Sequence, residues 1–312
     1  MPKFSVVIPV YNKRDFLRKT LKSVYDQTYT DYEIIAVNDG STDGSDKILK
    51  DFNSEKLKVI DQHNQGLSAA RNTGIKNATG EIIAFLDADD LWQGNHLQVI
   101  DKLAQDFPEA DLYAAAYSEI YGNGLSVIPN LNIPKTIPNN GILISNFFKA
   151  SLHQPLINMN SFALKKVCFD ELAGFDRDIT YAEDTDFLIR ANLKFKLAYS
   201  PKLTSCYHTE ISNQISQQSR KQLNPPDYAK YVFANPENIS LYQYINRKRY
   251  FLAIEYKCEG SAAAYAEIKE LIDSKFLTWK QRMLLMMPKK SIILLKKIKQ
   301  YYLKRGKRIT TF

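Results

Sequence analysis

The chain has 312 residues, a length that suits about two domains and a sizeable core, and its composition (45% apolar, 24% charged, 12 Gly and 12 Pro) excludes collagen, low complexity and wholesale disorder. Cys168, Cys206 and Cys258 are odd in number and far apart, which argues against a disulfide framework or a zinc knuckle and reads as reduced thiols of a cytosolic protein. The net charge of +8 lies at one end: residues 1–273 carry 30 Lys+Arg against 34 Asp+Glu, whereas residues 274–312 carry 12 Lys+Arg and no acid.

The first strand, Phe4–Pro9, is too short an apolar stretch for a secretion signal. Asn12 is placed to cap a helix whose apolar positions Phe16, Leu17, Leu21, Val24 and Tyr25 keep a helical rhythm. Strands follow at Glu33–Asn38, Leu57–Ile60 and Ile82–Leu86, separated by helices around Ser45–Phe52 and Leu67–Asn77. This alternation predicts an α/β fold with a mostly parallel sheet flanked by helices. Each strand ends in a polar turn, and in open α/β sheets the ligand sits beyond those carboxyl ends. A helix is expected near Asn95–Phe107, one or two strands within 111–128, a Pro-bearing loop at Pro129–Asn140, a helix from Glu183 to Asn192 and a strand near Phe195–Ser200. Beyond Pro225-Pro226 the pattern turns helical, so residues 1–225 are expected to form one unit and 226–312 a basic helical region. No apolar run approaches the roughly 18 residues of a membrane span.

The chemistry is concentrated in a few motifs. Asp87, Asp89 and Asp90 lie within four residues at the end of a strand. Ionised carboxylates this close repel, and a hard cation such as Mg²⁺ or Mn²⁺ offsets them while bridging to substrate phosphates; a solvated turn with capping acids is the plainer alternative. Asp39, in Asn38-Asp39-Gly40-Ser41, suits either a nucleobase or ribose contact or an Asx-turn. Arg71 can balance Asp39 or a diphosphate, or be a solvated helix charge. Glu183, Asp184 and Asp186 open a helix, where acids complement the dipole; one of them, near a metal, could act as a general base. His208 is a structural histidine or a ligand to metal or diphosphate.

Together these motifs resemble the family 2 glycosyltransferases, nucleotide-diphospho-sugar enzymes with the GT-A fold, a Rossmann-like α/β architecture. The matching segments are Ser5–Asn12, Glu33–Asp43, Asn64–Asn72, Gly80–Asp90 and Glu183-Asp184, in order and spacing, over residues 4 to 210. The resemblance implies that Pro9 and Tyr11 border the base, that Asp39 reads its edge with Arg71 nearby, and that Asp87 and Ala88 approach the ribose. It implies that Asp89, with Asp87 and His208, holds Mn²⁺ or Mg²⁺ against the diphosphate, and that Asp184 is the base with Glu183 as its neighbour. The implied reaction is direct displacement with inversion, from a donor that is UDP-linked by resemblance alone, to a glycan or lipid-linked acceptor in surface polysaccharide synthesis. Processive members carry Q-x-x-R-W and membrane spans; here Gln217-Gln218-Ser219-Arg220 precedes Lys221, so one sugar per acceptor is expected.

The last 39 residues interleave Trp279, Met283 and Ile292–Leu295 with Lys and Arg, as in a helix lying on an anionic membrane at its cytoplasmic face. The same region suits packing on the catalytic unit or a homodimer, and nucleic-acid binding ranks low because no nucleic-acid motif accompanies the charge. Two other functional classes fit less well. A catalytically silent sugar-nucleotide-binding subunit would not need Asp87, Asp89 and Asp184 together, and a nucleotidyltransferase would need a glycine-rich basic loop where Tyr11-Asn12-Lys13-Arg14 stands.

Overall fold

The computed structural model describes residues 1–52, 54–209, 219 and 223–305. Gln217, Gln218, Arg220 and Lys221, where a processive signature would fall, lie outside the described residues. Strands β1 (Phe4–Val10), β2 (Tyr32–Asp39), β3 (Leu57–Gln62) and β4 (Ile82–Phe85) alternate with helices α1 (Arg14–Tyr25), α2 (Ser45–Asp51) and α3 (Leu67–Lys76). There follow β5 (Leu91–Trp92), α4 (His96–Asp106), β6 (Leu112–Ile120), β7 (Ser126–Val127), β8 (Ile142–Ile144), α5 (Phe147–Ala150), β9 (Phe162–Lys165), α6 (Lys166–Glu171), α7 (Glu183–Lys194) and β10 (Leu197–His208). The remainder is helical: α8 (Ala229–Ala234), α9 (Ile239–Glu259), α10 (Ala262–Glu270), α11 (Trp279–Met286) and α12 (Lys289–Lys304).

The main sheet runs β3-β2-β1-β4-β9-β6-β10-β5. Every residue of β1 is buried, the signature of a parallel strand covered on both faces. Successive side chains separate cleanly. Val7, Ile35 and Phe85 join one core with α3, α7 and the start of α9, while Val6, Ile8 and Ile34 join the other with α1, α2 and α4. Helix α3 lies directly on the sheet: a Cβ at Gly74 would meet Val7 Cγ1 at 2.5 Å, so only glycine allows this approach. The sheet departs from a purely parallel pattern at β9, a four-residue strand inserted antiparallel to both β4 and β6, and at β5, β7 and β8, which also pair antiparallel.

The register places the site. β1 pairs with β2 at Val10↔Asn38 and with β4 at Val7↔Phe85, so the turns carrying Tyr11, Asp39 and Asp87 emerge on one edge. Tyr228, Tyr231, Leu241, Tyr244 and Ile245 of the C-terminal helical region share the sheet's core. Further along α9, Tyr250, Ala253 and Ile254 pack instead with Leu277, Leu284, Leu285 and Ile292. Among the described residues no helix is long and apolar enough to cross a membrane.

Candidate functional site

A cleft of about 730 Å³ opens over the carboxyl ends of β1, β2 and β4, within the roughly 300–1,000 Å³ usual for small-molecule sites. Pro9, Tyr11, Asp39, Arg71, Asp87, Ala88, Asp89, Glu183 and Asp184 all line it, so these nine sequence candidates converge on one cavity, whereas Asp90, Asp186 and His208 do not line it. Two of its walls rest on backbone that L-residues rarely adopt: Asn12 at φ 52°, beside Tyr11, and Ala182 at φ 58°, immediately before α7. Asn12 does not cap α1. Lys13 occupies that position, and the Asn12 amide oxygen instead accepts from the Thr42 N–H at 2.8 Å.

Arg71 is the central charge. Its side chain is 2% exposed, donating from Nη2 to Asp87 Oδ1 and from Nη1 to Glu183 Oε1, both at 2.9 Å, while its guanidinium sits 5.3 Å from the Phe175 ring centre. One residue of α3 thereby joins the end of β4 to the first turn of α7. Burial works against the guanidinium's charge, but Asp87 and Glu183 outweigh it and hold Arg71 more firmly protonated than usual. Burial pushes the Glu183 carboxyl up, with Arg71 opposing and Asp184 adding to the rise. Its 2.9 Å contact with a cation that does not deprotonate favours the ionised form of Glu183.

Asp39 lies apart from Arg71 in this network. Its Oδ1 accepts from Gln62 Nε2 at 2.7 Å and from the Gln65 N–H at 2.9 Å, and its Oδ2 from the Gly66 N–H at 2.9 Å. The carboxylate thus clamps the loop before α3, a fold-holding use that leaves lone pairs for a ligand. Gly40 is required beside it, with φ +74° and the Asn64 backbone nitrogen 2.9 Å from where a Cβ would stand.

The acidic turn after β4 is braced from beneath. Asn160, from the turn preceding β9, accepts from the Asp87 N–H at 2.6 Å and donates to Asp90 Oδ2, while its own carbonyl accepts from Trp92 Nε1 at 2.6 Å. The Thr20 hydroxyl lies 3.0 Å from the Ala88 carbonyl and 2.9 Å from that of Asp90. Asp90 is fully buried and does not line the cleft. Burial, reinforced by Asp89 and Asp87, raises its pKa to about 7 against the hydrogen bonds from His208. His208 donates its backbone N–H to Asp90 Oδ1 at 2.6 Å, and its ring Nδ1 lies 3.5 Å from the same oxygen; that contact with the carboxylate raises the imidazole pKa against the effect of burial. The structure therefore gives His208 to Asp90 and leaves Asp87 and Asp89 as the carboxylates of this turn that line the cleft.

Among the described residues no group of three His, Cys, Asp or Glu side chains is arranged to hold a metal ion. Two carboxylates nevertheless suit a hard cation that completes its shell with water and substrate phosphate oxygens, and Asp89 Oδ2 already carries a cation, the Lys13 ammonium at 2.7 Å. The donor set fits Mg²⁺ or Mn²⁺.

Three contributors were not legible in the sequence: Lys13, Asn160 and Lys248. Lys248, from α9, lines the cleft, lies 3.3 Å from Thr185 Oγ1 and 5.0 Å from the Tyr244 ring centre. Burial alone would lower its pKa, but Tyr244 and Asp184 raise it. Asp184 itself accepts from the Thr185 N–H at 2.6 Å; among the described residues only Thr185 hydrogen-bonds to it. No local signal marks Lys248, which stands between Arg247 and Arg249 in a helix outside the basic tail.

The profile of glycosyl transferase family 2 matches residues 5–180, more than half of the chain. Over 117 residues the chain is 42% identical to glycosyltransferase GlyA of Streptococcus pneumoniae, a match covering 37% of this chain and 17% of GlyA. Over 290 residues it is 29% identical to EpsH of Bacillus subtilis, a protein bearing a glycosyltransferase name, covering 86% of this chain and 82% of EpsH. The chain therefore spans about four fifths of one relative and less than a fifth of another. S. aureus TarS, residues 1–349, solved in complex with UDP-GlcNAc, superposes with a TM-score of 0.67 at 18% identity, covering 95% of this chain and 91% of that one. The architecture is the GT-A fold with a helical C-terminal region, and the chain belongs to glycosyl transferase family 2.

Proposed function

We propose that the protein transfers one sugar, with inversion, from a UDP-sugar to a hydroxyl of a glycan or lipid-linked acceptor in surface polysaccharide synthesis. The observation that carries this reading is the convergence of Asp39, Asp87, Asp89 and Asp184 on one cleft at the carboxyl edge of the sheet. TarS, which shares the fold, was solved with UDP-GlcNAc, and this supports UDP as the nucleotide.

In this reading Tyr11, 46% exposed, offers its ring to the base, and Asp39 and the Gln65–Gly66 backbone border it. Asp87 and Asp89 are the residues that would hold Mn²⁺ or Mg²⁺, whose chemistry is to offset charge on the departing diphosphate. Asp184 takes the proton as the acceptor oxygen attacks the anomeric carbon. The new carbon–oxygen bond forms, the bond to the β-phosphate oxygen breaks, and its electron pair leaves with UDP. Glu183 is committed to Arg71 and serves by fixing the turn that presents Asp184. Lys248 keeps a positive charge beside that turn, so the first helices of the region 226–312 complete the catalytic unit formed by 1–225.

The last helices carry the membrane reading. Trp279 is 67% and Met286 75% exposed, and Leu294, Ile298 and Tyr301 also face solvent amid the lysines. With 12 basic residues in 274–312 and about 1 kcal/mol for each one near an anionic surface, this face suits peripheral docking at the cytoplasmic side of a membrane.

The test is release of UDP from UDP-GlcNAc and UDP-glucose by the full chain. Asp184→Asn is expected to lower turnover by roughly 10²–10⁴-fold with UDP binding retained; unchanged turnover would remove Asp184 as the base.

A further inference from the structure

Lys13 stands in the cleft with a carboxylate that the donor reading needs. Its Nζ lies 2.7 Å from Asp89 Oδ2, and the two side chains are 14% and 7% exposed. We propose that Lys13 is a donor-binding residue that changes partners, resting on Asp89 while the cleft is empty and passing to the donor's diphosphate when it fills. This rests on reading the cleft as a nucleoside-diphosphate site.

The charges in the cleft carry the argument. Asp87 and Glu183 are covered by Arg71, Asp90 by His208, and Asp89 by Lys13. Arg71 cannot leave without stranding two carboxylates, and Phe175 packs against its guanidinium. Lys13 is held by one carboxylate, on a flexible stem whose ammonium is a compact charge able to follow a phosphate. Its backbone is fixed, since its N–H donates to Ser45 Oγ at 2.9 Å just before α1, so only the side chain need move.

Two consequences follow. A hard cation reaching Asp89 competes with the Lys13 ammonium, so the empty protein should hold such a cation weakly. A diphosphate, arriving beside Asp89, accepts the displaced ammonium, so Lys13 should strengthen nucleotide binding while weakening binding of the cation alone.

The test uses the full chain as wild type, Lys13→Met and Asp89→Ala, titrated calorimetrically first with Mn²⁺ alone and then with UDP at saturating Mn²⁺. Lys13→Met is expected to bind Mn²⁺ about tenfold more tightly and UDP about tenfold more weakly, the scale of one hydrogen bond to a charged group. Asp89→Ala should bind Mn²⁺ more weakly than wild type. Equal UDP affinity in wild type and Lys13→Met, or Mn²⁺ affinity unchanged or reduced by that substitution, overturns the exchange while leaving the donor site standing. A lower melting temperature with both ligands weakened marks Lys13 as a structural brace and likewise overturns it. No UDP binding by wild type overturns the donor reading instead, and the Mn²⁺ titration still decides whether Lys13 competes at Asp89.

Discussion

Replacing Arg71 by Met should destabilise the protein more than any comparable change at its surface. Arg71 is 2% exposed and makes one 2.9 Å contact to Asp87, which is 28% exposed, and another to Glu183, which is 10% exposed. Removing it leaves Glu183 as an uncompensated buried carboxylate and Asp87 as a partly screened one. Breaking a buried pair by deleting one partner costs about 3–5 kcal/mol, and the exposure of Asp87 places the expected loss toward the lower part of that range. Such a loss is a large fraction of the roughly 5–15 kcal/mol that holds a domain together. Arg71→Lys keeps the charge but cannot span two acids, so its loss should be smaller by about 1–2 kcal/mol. Urea unfolding followed by Trp fluorescence is a suitable assay, because Trp92 lies beneath the acidic turn. Adding Glu183→Gln to Arg71→Met should recover part of the loss by removing the stranded charge. A loss below about 1 kcal/mol for Arg71→Met, or no recovery in the double variant, would refute the claim that this ion network is buried and mutually dependent.

Asn160→Ala removes the acceptor for the Asp87 N–H and the donor to Asp90, so it should cost about 2–3 kcal/mol in urea unfolding and weaken UDP binding, although Asn160 is not among the residues assigned to touch donor. His96 is fully buried against Trp92, and burial lowers its pKa to about 3, whereas the unfolded chain takes up a proton near pH 6.5. Because the unfolded state binds the extra proton, stability falls as pH drops below 6.5, by about 2 kcal/mol at pH 5 from this group alone. His96→Asn should flatten that dependence in urea unfolding between pH 7 and 5, and an unaltered slope would contradict it. Vesicle flotation should show binding to anionic but not neutral lipid, reduced by Trp279→Ser with Met286→Ser; equal or absent binding to both lipids would remove the membrane reading, and dimerisation of the unbound protein would reassign the face.

The catalytic half of the fold was largely legible because its determinants are local. Runs such as Phe4–Val10 are buried throughout and are punctuated by polar turns, so strands β1 to β4 and the edge carrying Asp39 and Asp87 could be read directly. Strand β9 was not, because Phe162–Lys165 has neither the length nor the alternation of an independent strand and is fixed by β4 and β6 on either side. The partners of Arg71 were equally invisible, lying 16 and 112 residues away. Asn12 shows how local chemistry can mislead: a good capping residue by type, it is drawn instead to the Thr42 N–H across the turn. Lys248 needed the packing of α9 against the sheet before one lysine among many could be singled out.

The most direct test of the central claim is calorimetric titration of UDP into the full chain with and without Mn²⁺, alongside Asp89→Ala. Metal-dependent binding of UDP by the wild type, lost in the variant, is the expected result. Absence of binding by the wild type, with UDP or GDP and with or without metal, would contradict a nucleotide-sugar site in this cleft.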